Sequence, residues 1–326
     1  MTALLAAAAL LACPECGGAL HQRDRALRCA NGHSFDIARQ GYVGLLTGAS
    51  TKMTGDTAAM LDARAAFQGA GHFAPIAAAT AHALRAGATP GDVAAPGYQA
   101  ATGAELDRTP ATPIGATGTD RLTPTDDTDT DRLAPAGDAV LEIGAGTGYY
   151  LAGVLDARPG AIGIALDVAK PAARRAARAH PRMASILADA WRGLPVRDAA
   201  LAGVVSVFAP RNPGEVARVL APGGRFVVVT PTDRHLGELI DPLGMVRVDP
   251  DKDRRLAAAL AGTFTRVEHT LVEFPMKLGR ADVTHVVAMG PSAFHGTPAD
   301  DPRIAALPEI SEVTASVTVS VYLPNT

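Results

Sequence analysis

A short apolar strand that runs into a triple-glycine turn constrains the fold of this chain more than any other feature. Residues 140–143 are apolar apart from Glu142. Three alternating glycines follow this strand, namely Gly144, Gly146 and Gly148. Glycines at this spacing let the backbone pass close to a ligand and adopt positive φ angles. Asp167 comes nineteen residues after Gly148, where a carboxylate can accept hydrogen bonds from both ribose hydroxyls of an adenosine.

From residue 138 onward, strand-like and helix-like runs alternate. The apolar runs that predict strands are 139–143, 161–166, 184–187, 201–208, 225–230, 266–274 and 283–289. Helices are predicted after Gly148, over 170–179 and near 213–220, and two more over 56–86. Such βα alternation predicts a mostly parallel sheet with helices on both faces.

Three further features accompany the glycine turn. Asp189 follows the third predicted strand, Ala-Pro-Arg-Asn follows the fourth at 209–212, and Pro-Gly-Gly precedes the fifth at 222–224. A dinucleotide fingerprint would need glycine where this chain has Thr147. The E-x-G-x-G-x-G form instead resembles class I SAM-dependent methyltransferases. This resemblance implies a Rossmann-like α/β fold with a seven-stranded, mostly parallel sheet, S-adenosyl-L-methionine (SAM) as cofactor, and an adenine contact from Asp189. A nucleotide-binding Rossmann domain of another class is the alternative.

All three cysteines lie near the beginning of the chain and, with one histidine, form two close pairs of metal ligands. Cys13 and Cys16 make the first pair, and Cys29 and His33 follow after twelve intervening residues. Four soft or borderline donors suit tetrahedral Zn²⁺, and a complete set leaves no open position for catalysis. The spacing therefore predicts a structural zinc site. A reduced redox pair beside an unrelated Cys and His is the alternative.

The net charge of −3 by itself argues against a nucleic-acid partner, but the acids are concentrated in one segment. Eight acids and three bases lie between residues 90 and 137, a local balance of −5 that leaves +2 for the rest of the chain. This remainder permits an RNA partner. Residues 89–137 contain Thr, Asp, Pro, Ala and Gly without an apolar period, which predicts a flexible low-complexity linker.

The first twelve residues are apolar but carry no Lys or Arg before the apolar run, unlike a secretory signal. No run of about 20 apolar residues predicts a membrane span. We therefore expect a cytoplasmic protein. Its predicted parts are a zinc-binding module (1–46), a helical connection (47–88), the linker (89–137), a methyltransferase domain (138–295) and a tail of unknown structure (296–326).

The sequence around and after the cysteines carries a more specific resemblance. Its motifs include His33-Ser-Phe-Asp36, Gly41-Tyr-Val43, Gly71-His-Phe73, Gly148-Tyr-Tyr150 and Arg234-His-Leu236. Together they resemble the RlmA-type 23S rRNA (guanine-N1)-methyltransferases, which include the tylosin-resistance methyltransferases. The resemblance extends from residue 11 to about residue 290. The linker is longer than in that family, and the Ala-rich residues 1–10 are atypical of it.

The resemblance implies particular site residues. It places zinc at the four ligands named above and cofactor contacts at Gly148, Tyr149, Asp167 and His235. Phe73 stands at the family's aromatic cofactor-contact position, usually Tyr, so stacking is kept and a hydrogen bond is lost. The complete predicted cofactor-binding set is Phe73, Gly144, Gly146, Gly148, Tyr149, Asp167, Asp189 and His235. The family also implies a homodimer whose two zinc modules line an RNA cleft.

The implied reaction is attack by guanine N1 on the methyl group of SAM, with the protein supplying position and desolvation. Guanine N1 is protonated at neutral pH, so a proton must leave. Asp36, Asp189 and His235 are candidates for the base by charge type only, and the catalytic residue stays unknown. Arginines predicted to contact RNA phosphates are Arg23, Arg25, Arg28, Arg39 and Arg64.

Two rival functions stay open at this point. One is a small-molecule methyltransferase that uses the zinc module as a lid, and the other is a non-catalytic, zinc-containing RNA-binding protein. The sequence also leaves open whether methylation of 23S rRNA would serve housekeeping or macrolide (tylosin-type) resistance.

Overall fold

An eight-stranded sheet forms the centre of the protein, in a computed structural model that describes residues 2–48, 53, 55–85, 138–290 and 301–325. The predicted linker lies outside the described residues. The strands are β1 (His21–Arg23), β2 (Ala26–Arg28), β3 (Ser34–Asp36), β4 (Tyr42–Gly44), β5 (Ala139–Ile143), β6 (Ile162–Asp167), β7 (Met183–Leu187), β8 (Leu201–Val207), β9 (Leu220–Pro231), β10 (Phe264–Gly279) and β11 (Ile310–Pro324). The α-helices are α1 (Ala3–Ala8), α2 (Ala58–Gly69), α3 (Ala74–Ala83), α4 (Tyr149–Ala157), α5 (Lys170–Ala176), α6 (Pro213–Val219), α7 (Gly237–Leu243), α8 (Lys252–Leu260), α9 (Arg280–Ala288) and α10 (Pro302–Ala305).

The strand order of the central sheet is β10-β11-β9-β8-β5-β6-β7-β4. Strands β4 to β9 pair in parallel, whereas β11 runs antiparallel to both of its neighbours, β9 and β10. Seven of the eight strands come from residues 139–324, which confirms the predicted class I methyltransferase fold. The eighth strand, β4, comes from the segment that follows the cysteines.

The strand order also indicates where a ligand belongs. Strand β5 lies between β6 and β8, so the chain winds outward in both directions from it. In open α/β sheets of this kind, ligands bind outside the carboxyl ends of the strands at such a reversal point. The triple-glycine turn directly follows β5, and it therefore lies at this position.

The N-terminal segment is joined to the central sheet by hydrogen bonds. Strands β1, β2 and β3 form a small antiparallel sheet, while β4 pairs in parallel with β7, so that Val43 lies opposite Ile186. Leu11 is fully buried and forms an antiparallel bridge with Val196. The cysteine-bearing segment is thus fixed against the core of the described protein.

The sequence-based strand at 283–289 is wrong, because these residues lie in helix α9. Val283, Val286 and Val287 are all buried and follow the i, i+3, i+4 spacing of a helix face. This period outweighs the strand propensity of valine. The Asp282 carboxylate also accepts the backbone N–H of Gly279 at 3.0 Å, which caps the helix.

The closing strand of the sheet lies instead in the predicted tail. Along strand β11, buried apolar residues alternate with residues whose side chains are on the other face of the sheet. The buried apolar positions are Val313, Ala315, Val317, Val319 and Val321. This period of two is typical of a strand. Among the described residues, no helix is both long and apolar enough to cross a membrane.

Candidate functional site

Four metal-ligating side chains meet in the N-terminal segment. The ligand atoms of Cys13, Cys16, Cys29 and His33 all lie within 4.8 Å of one another. The sulfurs of Cys16 and Cys29 are 3.7 Å apart, and His33 Nδ1 lies 3.6 Å from the Cys13 sulfur and 3.4 Å from the Cys29 sulfur. Ideal tetrahedral Zn²⁺, with bonds of about 2.3 Å to sulfur and about 2.0 Å to nitrogen, holds its ligands about 3.5–3.8 Å apart. The donor set therefore fits structural zinc, as its spacing predicted.

Two glycine turns bring these ligands together. The Gly17 N–H donates to the Cys13 carbonyl at 2.7 Å, and the Gly32 N–H donates to the Cys29 carbonyl at 3.1 Å. Both glycines have positive φ angles, of 71° and 84°, which other residues adopt only with strain. A backbone hydrogen bond from Gly18 is the largest influence that lowers the pKa of Cys16, to about 6. This favours the thiolate form that binds metal.

The glycine turn after β5 forms one wall of a cavity of about 660 Å³. The cavity opens beyond the carboxyl ends of β5, β6, β7 and β8, as the strand order leads us to expect. Gly144, Gly146 and Gly148 all have positive φ angles, between 55° and 81°. A Cβ atom on Gly144 would lie only 2.6 Å from the Cβ of Ala209, so that position also lacks the space for a side chain.

The carboxylate of Asp167 is fixed at the end of β6 by two backbone amides. Its Oδ2 accepts the Gly146 N–H, and its Oδ1 accepts the Ala169 N–H, each at 2.8 Å. The side chain lines the cavity although it is mostly buried, and this burial raises the pKa of Asp167 above its ordinary value. Each oxygen has a further lone pair that can accept a ligand hydroxyl. The geometry therefore suits the ribose contact predicted for this residue.

Five of the eight predicted cofactor-binding residues line this cavity, namely Phe73, Gly144, Asp167, Asp189 and His235. The other three do not line it. Gly146 supports the site indirectly through its hydrogen bond to Asp167, and Gly148 is the N-cap of helix α4. Tyr149 is replaced in the lining by its neighbour Tyr150. The contacts of all eight residues with SAM stay predictions.

His235 is held in a single tautomer. Its Nδ1 atom accepts the backbone N–H of Ser316 at 3.1 Å, so the proton of the neutral ring is on Nε2. Burial, with a smaller contribution from the positive charge of Lys252, lowers the pKa of His235 to about 4. At neutral pH the ring is therefore uncharged and presents an N–H donor. This state does not suit the role of a base that removes the proton from guanine N1.

We expect His235 to make the fold sensitive to acid. The ring has a pKa of about 4 in the folded protein and 6.5 ordinarily, so the unfolded chain binds a proton that the folded chain does not. The free energy of unfolding, which is highest above pH 6.5, should therefore fall by about 3 kcal/mol as the pH drops to 4. His235→Asn keeps an acceptor for Ser316 but cannot titrate. Its free energy of unfolding in urea should depend less on pH in this window, and an unchanged dependence would contradict the assignment.

Arg64, which the sequence predicted to contact RNA phosphates, lies in the lining of the cofactor cavity. Its guanidinium forms an ion pair with Asp56 at 2.5 Å, donates to the Met289 carbonyl at 2.9 Å and lines the cavity. A Cβ on Gly146 would lie 2.9 Å from it, so the cation lies directly beside the glycine turn. Arg64 is therefore not part of the exposed surface formed by the other predicted RNA-binding arginines, Arg23, Arg25, Arg28 and Arg39. Asp56 lies just before α2, and Thr57 caps that helix.

Two exposed aromatic side chains in the cavity were also missed. Trp191, the single tryptophan of the chain, lies just after Asp189 and is 53% exposed. Phe208 follows β8, is 42% exposed and has a φ of 53°, which is unusual for a bulky residue. Strained residues of this kind cluster at ligand sites. Trp191 comes shortly after the predicted strand 184–187 and Phe208 is the last residue of the predicted strand 201–208, so their place at the strand ends was the available signal.

The acids around the cavity do not supply an obvious base. Glu142 is fully buried, and burial raises its pKa to about 8, so it is mostly protonated at neutral pH. The Asp189 carboxylate accepts a hydrogen bond from the backbone N–H of Trp191 at 3.0 Å. Asp36 is exposed on β3 and is not among the described cavity residues. The base stays unassigned.

Comparison with known proteins gives relatives over almost the whole chain. Residues 11–50 match the zinc-ribbon family described as "RlmA, N-terminal". The 23S rRNA (guanine(748)-N1)-methyltransferase of Streptomyces fradiae is 44% identical over 315 residues, which cover 96% of each chain. A protein of Micromonospora griseorubida, provisionally named a 23S rRNA (guanine-N1)-methyltransferase, is 47% identical over 319 residues, 96% of this chain and 97% of its own. Among solved structures, the MccD protein is similar over 58% of this chain and 91% of its own, with 14% identity and a TM-score of 0.39.

Proposed function

Since the chain belongs to the family of 23S rRNA (guanine-N1)-methyltransferases, we propose that it transfers a methyl group from SAM to N1 of a specific guanine in 23S ribosomal RNA. The observation that carries this proposal is the combination of the zinc cluster with the glycine-turn cavity in one chain. The first is the feature of the matched ribbon family, and the second has the position and chemistry of a nucleoside site.

The cavity offers a group for each part of the cofactor. SAM supplies an already activated methyl group when it is bound. The Asp167 carboxylate would accept the ribose hydroxyls, and Trp191 offers an exposed aromatic face close to Asp189. The Arg64 guanidinium, beside the glycine turn, would attract the carboxylate of the amino-acid part. These residues would hold the ligand and exclude water, which accounts for much of the rate in such a transfer.

A second cavity supports an RNA path between the two parts of the site. It has a volume of about 600 Å³ and is lined by Cys13 and Pro14 of the zinc segment together with Arg192 and Arg197. Asp189 lines this cavity and also the cofactor cavity. An RNA strand bound along the zinc segment could therefore extend a guanine toward the methyl group. A guanine from a loop would need less unstacking than a paired one.

The proposal is tested with isolated 23S rRNA, SAM and the purified protein. N1-methylguanine blocks Watson–Crick pairing, so we expect a single new stop in primer extension that appears only with both protein and SAM. Methylation of no ribosomal RNA, or at an atom that does not stop the extension, would contradict the proposal. If no ribosomal RNA is methylated but SAM binds in calorimetry, the small-molecule methyltransferase is favoured. If SAM does not bind either, the non-catalytic RNA-binding protein is favoured.

Three finer points belong to this proposal. A ribosomal RNA substrate implies the cytoplasm as the site of the reaction. A homodimer is expected from the family and is tested by light scattering after size-exclusion chromatography. Macrolide resistance stays a prediction, and the inhibitory concentration of tylosin for a susceptible host with and without this chain tests it.

A further inference from the structure

Two cationic side chains near one end of the cofactor cavity, Lys252 and Arg211, form no ion pair with the residues that the structure describes. Lys252, at the start of α8, lines the cavity and is about half-buried, and its side chain makes no hydrogen bond or ion pair within the described protein. Arg211 follows Pro210 of the cavity lining, and one of its guanidinium nitrogens, Nη1, is buried with no hydrogen-bond partner among the described residues. Burial and the charge of Arg211 both lower the pKa of Lys252.

Neighbouring charges do not neutralise this pair. Asp249, the nearby acid that most favours the charged form of Lys252, already forms an ion pair with Arg255. The acids on either side of Lys252, Asp251 and Asp253, are paired with Arg254 and Arg266. Two like charges that are partly removed from water repel each other, and an unsatisfied buried N–H adds a further cost. An anion bound in the cavity would offset the repulsion between the two positive charges and the burial of Lys252.

Lys252 is distinct from Arg64, the cation expected to attract the carboxylate of the cofactor, which lies beside the glycine turn. Lys252 and His235 both line the cavity, and the charge of Lys252 contributes to the lowered pKa of His235, whereas the charge of Arg64 acts on Glu142 and Asp167 at the glycine turn. The carboxylate of SAM already has a cation in Arg64. The anion for Lys252 is therefore expected from the other substrate.

We propose that Lys252, supported by Arg211, binds a backbone phosphate of the RNA strand that carries the target guanine. This inference rests on the proposed function. A phosphate brings a full negative charge and several acceptor oxygens, which match a lysine beside a guanidinium with a free N–H. Such a contact fixes the register of the strand, so that the guanine next to the phosphate enters the cavity.

The first experiment compares Lys252→Gln and Arg211→Gln with Arg254→Gln. Arg254 is on the same helix but is exposed, is paired with Asp251 and does not line the cavity. We expect Lys252→Gln and Arg211→Gln to lose about tenfold in kcat/KM for 23S rRNA and to reduce the salt slope of RNA binding by about 1. Their SAM affinity in calorimetry should be unchanged, and Arg254→Gln should behave as the unaltered protein. Since Arg211 is the more buried of the two, Lys252→Gln decides the outcome if Arg211→Gln does not fold.

The second experiment needs no methyl transfer. Trp191 lines the same cavity and is the only tryptophan, so its fluorescence can be titrated with inorganic phosphate. We expect a saturable change in the unaltered protein and in Arg254→Gln, and none in Lys252→Gln. No change in the unaltered protein, or the same change in Lys252→Gln, would overturn the phosphate site. Phosphate binding without methylation of any ribosomal RNA would instead overturn the proposed function and leave the anion site standing.

Discussion

Replacement of Asp167 by alanine should weaken SAM binding by about 100-fold or more, because two charge-assisted hydrogen bonds to the ribose are lost at about 1.5–3 kcal/mol each. The effect should exceed that of any other cavity substitution considered for this protein. The same change leaves the N–H groups of Gly146 and Ala169 without their acceptor, so the glycine turn should also lose its shape. Calorimetric titration with SAM measures the first effect, and thermal unfolding of the unliganded protein measures the second.

Two controls make this result specific. Asp167→Asn keeps one acceptor oxygen and should lose less affinity than the alanine variant. Glu309→Ala removes an exposed acid that is distant in sequence and should leave the SAM affinity unchanged. An Asp167→Ala protein with the affinity of the unaltered chain would exclude this carboxylate as the ribose ligand.

Loss of the metal should destabilise the whole described protein and not the N-terminal segment alone. Cys13 is almost fully buried, and the segment it belongs to contributes β4 to the central sheet and Leu11 to its core. Structural zinc contributes about 10–16 kcal/mol of apparent binding energy in isolated finger peptides, so even partial loss should lower the Tm of Cys13→Ser by about 10 °C or more.

His21→Ser is the matched control for this experiment, since His21 is an exposed histidine of the same segment that does not belong to the ligand cluster. Zinc content is measured by mass spectrometry of the metal, with one ion per chain expected for the unaltered protein and for His21→Ser. Cys13→Ser with the full zinc content and an unchanged Tm would refute a structural metal at this cluster.

Features that depend on spacing within a short segment were predictable from the sequence. The four zinc ligands form one such feature, and the glycine turn with Asp167 forms another, because the residues of each lie near one another in the sequence. The strand at β11 was missed since it follows a Pro-rich stretch and mixes Ser and Thr with Val. The helix α9 was misread because β-branched residues occur at helical spacing.

Residues that reach the cavity from distant elements could not be predicted in the same way. Arg64 comes from α2 and Lys252 from α8, and neither belongs to a motif of the cofactor loop. Their positions follow from tertiary packing: one cation lies beside the glycine turn, and the other lines the cavity and has no ion pair with any residue that the structure describes. Strand β4 likewise joins the central sheet through a pairing with β7 that spans more than 140 residues.

The order of the strands has a consequence for how the enzyme is made. Strand β10 is an edge strand that pairs with the rest of the sheet only through β11, although β10 comes before β11 in the chain. Ser316 of β11 also donates the hydrogen bond that sets the proton position on His235. A nascent chain that had already folded its metal site and glycine turn would thus still lack a finished cavity. The activity should therefore begin only once β11 has joined the sheet between β9 and β10.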